Sequence, residues 1–542
     1  YLLNYSILNF LGEGGLVKQK FISNTIMFTL NLVFVMFFQN IFGATNKMVG
    51  IVVLIIGLAI TEKDLTQNLG VLTIELLIIN LLMGILSYLT LLNPILGLVI
   101  NLFFIFYVTY GTVAGNKKPY HFPFILGYLF LTLNSPPTLS ELPGRLVALT
   151  GGTFMIVGLQ WVFNRNTYTK ILNTQLDRVL TCLHQRMERI IAGDNRSYPE
   201  EAMSLQDGVS RFMKVTYDRR SFKGPLTPES MYRITEIIAF EKMYYLLEDV
   251  AQDYKAGHID KTVLNELYTF IKDLQEGDLS DANKLISKWE KDAMPVSIIN
   301  FKKAVQVLQS AKKQEYPLYK QGLFKQFVKG IDKESYAYKF SLRLAILVGF
   351  SLFIVQLFNL TYGRWFCFTI LALVQPGFEE SRQKTIYRFI GTFVGVILFI
   401  ILISVFKNES QLAMIVLVAS YIGTYMNRYD LKMTFITVQA LGAAIIGTTG
   451  SIVIGNRVFY LIIGAFVAYI GNKFLFTIHQ QEVSQHYLDL YEKDKKHLLL
   501  EPKDYPHSMI VEAYHFLQVG QIEKEKYQEW LTISFDALSK AI

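Results

Sequence analysis

Residues 364–396 read RWFCFTILALVQPGFEESRQKTIYRFIGTFVGV, and they hold the side chains best suited to chemistry in this chain. An apolar run from Trp365 to Val374 stops at Gln375-Pro376-Gly377. Glu379, Glu380, Arg382, Lys384 and Arg388 follow before the apolar character resumes. Lys384 and Arg388 are four residues apart and share a helical face. Lining a cavity, that face would offer two cations to an organic anion, with Trp365, Phe368 and Phe378 placed to contact its ring. The competing reading makes Arg382, Lys384 and Arg388 loop charges that enforce topology. Four groups are candidates for proton coupling: Glu62, Glu75, His121 and Glu379. Burial raises a carboxylate towards neutrality, and histidine titrates near physiological pH. Glu75 also reads as an interfacial carboxylate near a helix end, and His121 as a loop histidine beside Lys118 and Tyr120.

The elements that must position these groups are hydrophobic. Of 542 residues, 52% are hydrophobic, and they gather in blocks rather than alternating faces. A bilayer core of ~30 Å needs roughly 20 apolar residues as helix. Phe21–Phe42, Val71–Leu92, Ile95–Val113, Leu146–Phe163, Phe389–Val405 and Val458–Phe476 come close to that length. Met48–Ile60, Phe122–Leu133, Phe340–Phe358, Trp365–Val374, Leu412–Met426 and Met433–Ile446 are shorter. Together they make six segments in each half. The first reads as a spanning helix and not a signal peptide, because it is long, lacks a small-residue cleavage site and is followed by more spans.

In hydrocarbon every backbone amide needs a partner. A helix ending at Gln375-Pro376 is therefore tolerable only where its end is buried in protein or opens to water, and such interrupted segments point to transport sites. The second and eighth segments are of this kind, and the fifth, ended by Asn134-Ser135-Pro136-Pro137, is a further short element. Residues 47–70 can be laid on 364–387 without a gap, with Glu62 over Glu379, so the halves read as parallel repeats. The first half lacks the Gln-Pro, which makes the second the better anion site. If each segment crosses, Lys18, Lys20, Lys63, Lys117, Lys118, Arg165, Lys170, Arg382, Lys384, Arg388, Arg428 and Lys432 fall on one side of the membrane. Only Lys47, Arg145, Arg364, Lys407 and Arg457 fall on the other. This bias puts both termini in the cytoplasm.

Residues 1–17 read as an interfacial segment, 18–165 as the first transmembrane block and 166–337 as a cytoplasmic helical domain. Residues 338–477 read as the second block, and 478–542 as a cytoplasmic helical tail. Ser280-Asp281 is an N-cap signal within the insert. Gly391 and Gly395 are spaced for close helix packing. Asn80, Asn101 and Gln439 are expected to bond between helices, with pore lining as the alternative, and Trp161 and Arg364-Trp365 fit interface anchoring as well as they fit function. The net charge of +8 fits basic residues held against anionic lipid. No aromatic-interleaved basic patch of a nucleic-acid-binding kind is present. Cys182 and Cys367 are too few and too separate for a disulfide framework or a zinc site. No phosphate-binding loop or catalytic constellation appears, so neither an enzyme nor a cofactor is expected.

The stretch around Trp365, Gln375-Pro376, Ser381, Lys384, Arg388, Gly391-Thr392 and Gly395 resembles the signature of the fusaric acid resistance-like superfamily, which includes the aromatic acid exporters. KKPYHFPFILGYLF in the first half is similar. The plant aluminium-activated malate transporters, which are anion channels, are similar in the membrane block. The resemblance implies anion handling without choosing between exporter and channel. The expected fold is an all-α polytopic membrane protein: two six-helix transmembrane blocks in parallel repeat, a helical cytoplasmic insert and a helical C-terminal tail. The expected function is export of small organic anions, chiefly aromatic carboxylates, from the cell (inner or plasma) membrane, with proton coupling. The alternatives are a passive anion channel, or a non-transport envelope protein recruiting a cytosolic partner. The expected partners are the anion and the lipid bilayer, with no nucleic acid. A homodimer is compatible with the sequence, which does not show whether a periplasmic adaptor exists.

Overall fold

The computed structural model describes residues 16–113, 120–194, 198–219, 226–276, 282–289, 294–314, 335–406, 408–445, 450–500, 506–519 and 524–541, with Arg196 and Lys333. Residues 1–15 of the interfacial segment, Lys117, Lys118, the Ser280-Asp281 cap signal and Lys407 lie outside the described residues.

Each of the twelve apolar segments is helical. The first six form α1 (Leu16–Phe42), α2 (Lys47–Thr61), α3 (Leu69–Leu92), α4 (Pro94–Val113), α5 (His121–Leu129) and α6 (Leu142–Asn164). Helices α7 (Thr167–Ile191), α8 (Pro199–Asp218), α9 (Pro228–Lys255), α10 (Lys261–Gln275), α11 (Ala282–Trp289) and α12 (Val296–Lys313) follow. The second six segments form α13 (Tyr336–Leu357), α14 (Arg364–Leu373), α15 (Phe378–Val405), α16 (Glu409–Gly423), α17 (Tyr429–Ile445) and α18 (Gly450–Phe474). The chain closes with α19 (Gln480–Leu500), α20 (His507–Val519) and α21 (Lys524–Ala541). Among the described residues eight helices are long and apolar enough to cross a membrane, with three shorter apolar ones beside them. Their outward faces carry large bare hydrophobes, including Val33 and Phe37 on α1, Phe393 and Ile401 on α15 and Phe466 on α18. Water would penalise such patches, whereas lipid solvates them. The chain is a multi-pass membrane protein.

Local chemistry sets the boundaries. Gly43 adopts a left-handed φ of 87°, which ends α1. The Asn68 side chain accepts from the Val71 amide at 3.2 Å to cap α3. Pro94 opens α4, where its missing N–H costs nothing. The helices divide into two compact units. One holds α1–α6 and α13–α18. The other holds α7–α12, most of α19, α20 and α21, together with the loop Lys63–Gln67.

In the first unit α15 and α17 run backbone against backbone. A Cβ on Gly391 would sit 2.3 Å from the Asp430 carbonyl oxygen, and one on Gly395 would sit 2.6 Å from that of Thr434. Phe399, Leu412, Val438 and Leu441 close the core beside this contact. Helix α1 meets α16 where the Thr25 and Tyr421 hydroxyls lie 2.8 Å apart and Phe28 meets the Tyr421 ring edge at 5.2 Å. Helix α13 meets α4 through Phe106 and Tyr338, ring centroids 5.4 Å apart. Asn80 donates to Thr153 at 2.8 Å, and Asn101 accepts from Tyr128 at 2.6 Å, so both asparagines bond between helices. Trp161 is exposed on α6.

The second unit packs around α9, which buries Ile234, Ile238, Met243, Leu247 and Val250. Within it Glu241 is wholly buried, and the Tyr527 hydroxyl lies 2.5 and 2.6 Å from its two carboxyl oxygens. In the Lys63–Gln67 loop, Asp64 pairs with Arg219 at 3.3 Å and the Lys63 carbonyl accepts from Asn164 at 3.0 Å. Cys182 and Cys367 are both unpaired thiols.

Candidate functional site

Helix α14 is ten residues long and stops at Leu373. Pro376 supplies no N–H and pushes the residue before it out of helical geometry. The carbonyls this stop leaves open are satisfied by protein side chains. Arg343, wholly buried on α13, donates to the Gln375 carbonyl at 2.6 Å and to the Pro376 carbonyl at 2.8 Å. Its other terminal nitrogen reaches the Phe476 carbonyl at 3.2 Å. The Leu373 carbonyl accepts from Ser381 at 2.7 Å and from Asn472 at 3.2 Å. The Gln375 side-chain amide turns back onto the Ala372 carbonyl at 3.0 Å. Of the two expectations for the broken end, burial in protein describes these carbonyls.

The charges after the break ride on the first turns of α15, a continuous helix from Phe378 to Val405. Exposure falls along it: Arg382 is exposed, Lys384 half-buried and Arg388 buried. Lys384 donates to the Gln375 side-chain oxygen at 2.6 Å. His121, buried on α5 and edge-on to Phe340 at 5.2 Å, lies within electrostatic reach of Lys384. Arg388 donates to the Tyr429 hydroxyl at 3.3 Å and approaches the Met433 sulfur at 3.8 Å. Among the described residues it pairs with no carboxylate, and its Nε is buried without a hydrogen-bond partner.

The sequence grouped Trp365 with these cations. In the structure Trp365 stands at the opposite end of α14 from the break, where two further arginines meet it. The Arg457 guanidinium, from α18, lies 4.0 Å from the indole centroid, and that of Arg364 lies 5.4 Å from it. Arg388 and Arg364 are both within electrostatic reach of Arg457. Phe368, one turn along α14, touches Trp365 at 6.3 Å and Phe130 of the first half at 5.1 Å. Phe378 lies against Tyr469 at 6.1 Å and His479 at 6.2 Å, away from Trp365.

The proton-coupling candidates are scattered. Glu379 is exposed and accepts from His479 at 2.9 Å, a contact that raises the His479 pKa. Glu62 is exposed just past the end of α2. Glu75 is half-buried on α3, within electrostatic reach of Tyr107 on α4. Of the four candidates, His121 is the one within electrostatic reach of Lys384. Among the described residues no group of three or more His, Cys, Asp or Glu is placed to hold a metal ion.

Sequence reasoning missed Arg343 and Asn472, and read Arg457 only as a single charge on the opposite side. The available signal was a lone polar residue inside an apolar run, as in FSLRLAILVGF, where a charge is costly without a task.

Residues 349–471, which span α13 to α18 and contain the break, match the model of the family described as fusaric acid resistance protein-like. A stretch of 149 residues is 28% identical to the uncharacterized protein ORF2 of Neisseria gonorrhoeae, covering 27% of this chain and 36% of that one. A stretch of 110 residues is 29% identical to the inner membrane protein YccS of Escherichia coli strain K12, covering 20% of this chain and 15% of that one. An uncharacterized protein of Haemophilus influenzae matches over the same shares. The matched stretches thus span about a third of the first relative and about a seventh of the other two. No solved structure matches the chain.

Proposed function

Residues 349–471 carry a fusaric acid resistance protein-like segment, and from that premise we propose that the protein exports small organic anions, chiefly aromatic carboxylates, across the inner membrane. The observation that carries this reading is Arg388. It is a buried cation on a membrane helix with no carboxylate partner among the described residues. A charge in that setting is costly unless something neutralises it, and a passing anion would. Lys384, one turn nearer the end of α15, meets the carboxylate first and releases Gln375 to do so. Trp365 and Phe368 line the path for an aromatic ring. His121 is the proton-coupling group best placed to sense Lys384. Glu75, Glu62 and Glu379 are secondary candidates.

The two six-helix blocks are read as parallel repeats. Laying 47–70 on 364–387 makes α1 the counterpart of α13 and α4 the counterpart of α16. Helix α13 packs along α4, whereas α1 reaches α16 chiefly through the Thr25 and Phe28 side chains against Tyr421, so the repeat reading rests on the sequence overlay. The charge bias of the loops supports cytoplasmic termini, and the name of the E. coli relative supports the inner membrane.

The test is efflux of 4-hydroxybenzoate from loaded proteoliposomes. Arg388→Gln and Lys384→Gln should each slow it by roughly ten- to a hundredfold, the scale for losing one hydrogen bond to a charged group. Unchanged efflux in both variants refutes the assignment. Single-channel currents that ignore a proton gradient would select the channel. A wild-type protein that moves no anion but retains a cytosolic protein through residues 166–337 would select the recruiting role.

A further inference from the structure

At the end of α14 opposite the break, one indole carries two guanidiniums. Arg457 lies 4.0 Å and Arg364 5.4 Å from the Trp365 ring. Trp365 and Arg457 are each more than nine-tenths buried. The Trp365 Nε1–H and the Arg364 Nε–H are buried donors without hydrogen-bond partners. Among the described residues neither arginine pairs with a carboxylate, and Arg388 adds a third positive charge within electrostatic reach.

Cation–π contact occupies the flat face of a guanidinium and leaves its edge donors free. Those edges match the two oxygens of a carboxylate. The indole N–H adds a donor in the same place. Like charges gathered in a buried region repel one another, so an incoming anion relieves a standing repulsion as well as making new bonds.

We propose that Arg457, Arg364 and Trp365 form a carboxylate-binding site for a soluble aromatic anion, distinct from the Gln375–Lys384 end of α14. The proposal rests on the anion-transport reading and extends it: the anion has a second station, at the far end of the short helix. Nine residues of helix separate Trp365 from Val374, or ~13–14 Å of rise. A small anion at one end therefore cannot touch the other. Arg388, one turn along α15 from Lys384, is within electrostatic reach of Arg457.

The experiment is binding of benzoate to the purified full chain in phosphatidylcholine nanodiscs, read by tryptophan fluorescence and by calorimetry. Benzoate should perturb the emission, and Trp365→Phe should remove that change while calorimetric binding persists in weakened form. Arg457→Gln and Arg364→Gln should each weaken binding by roughly ten- to a hundredfold. Arg457→Lys, which keeps the charge but loses the fork, should weaken it less than Arg457→Gln. Elution of each variant as a single species by size exclusion guards against misfolding. Two results would overturn the site: benzoate affinity unchanged in both glutamine variants, or inorganic phosphate competing as well as benzoate, which would mark a site for phosphate or a lipid headgroup. Tight, arginine-dependent benzoate binding without flux in vesicles would retain this site and reject transport. Flux with binding indifferent to Arg457 and Arg364 would do the reverse.

Discussion

Replacing Arg343 by methionine should release the end of α14. In the native chain this one side chain satisfies the carbonyls of Gln375, Pro376 and Phe476 at 2.6, 2.8 and 3.2 Å. A buried carbonyl left without a donor costs about 1–3 kcal/mol. The two shorter bonds carry most of the effect, and removing a buried guanidinium returns part of its desolvation cost. The net loss expected for Arg343→Met is about 2–4 kcal/mol, large against a total stability of ~5–15 kcal/mol. Arg343→Lys should fall between, since an ammonium is a point charge without the planar fork. The assay is thermal unfolding of the full chain in detergent, paired with polar maleimide labelling of Gly377→Cys in a Cys182→Ser, Cys367→Ser background. Position 377 has room for the added Cβ, whose nearest neighbour is a Glu379 oxygen at 3.7 Å. Arg343→Met should lower the melting temperature by several degrees and speed labelling at 377. A melting temperature within a degree of the parent, with labelling unchanged, would show that other donors hold the break.

Other outcomes follow from the packing and titration of particular residues. Gly391→Ala should cost about 1–3 kcal/mol, the scale for overpacking, because its Cβ would meet the Asp430 carbonyl at 2.3 Å. Gly455→Ala, with nothing within 4 Å, should be neutral or slightly stabilising; equal melting temperatures for the two would contradict the close contact. Burial pushes the Glu241 carboxyl up to about 8 from 4.5. The folded chain therefore holds that proton where the unfolded chain has lost it, so this contribution to stability is full below pH 4.5 and disappears as pH rises through 8. Glu241→Gln should flatten the decline in melting temperature between pH 5 and 8, and an unaltered slope would remove Glu241 as its source.

Much of the helical framework was legible because hydrocarbon tolerates few alternatives to long apolar helices. The stop at Gln375-Pro376 was legible for a local reason, since proline acts on its own neighbours. What closes the stop was not: Arg343 and Asn472 lie 32 residues before and 97 residues after Gln375 in the sequence. Partnership across such distances leaves no periodic trace. The grouping of Trp365 with Lys384 had a different weakness. A ring and a cation in one motif look adjacent on the page, but the ten-residue helix α14 holds them apart. Arg364 and Arg457 were legible as single charges on the opposite side to Lys384; that both stack on one indole was not. Gly391 and Gly395, by contrast, announced their role through spacing alone, since only a close neighbour rewards two small residues one turn apart.

The glycine contact between α15 and α17 also bears on movement. Two helices whose main chains interlock over a full turn have no side-chain cushion to shear across, so they travel as one plate. Any rearrangement that carries a solute past Arg388 must then occur along seams filled by rotatable rings. The pair Phe130–Phe368, where the residue just past α5 meets α14, is such a seam.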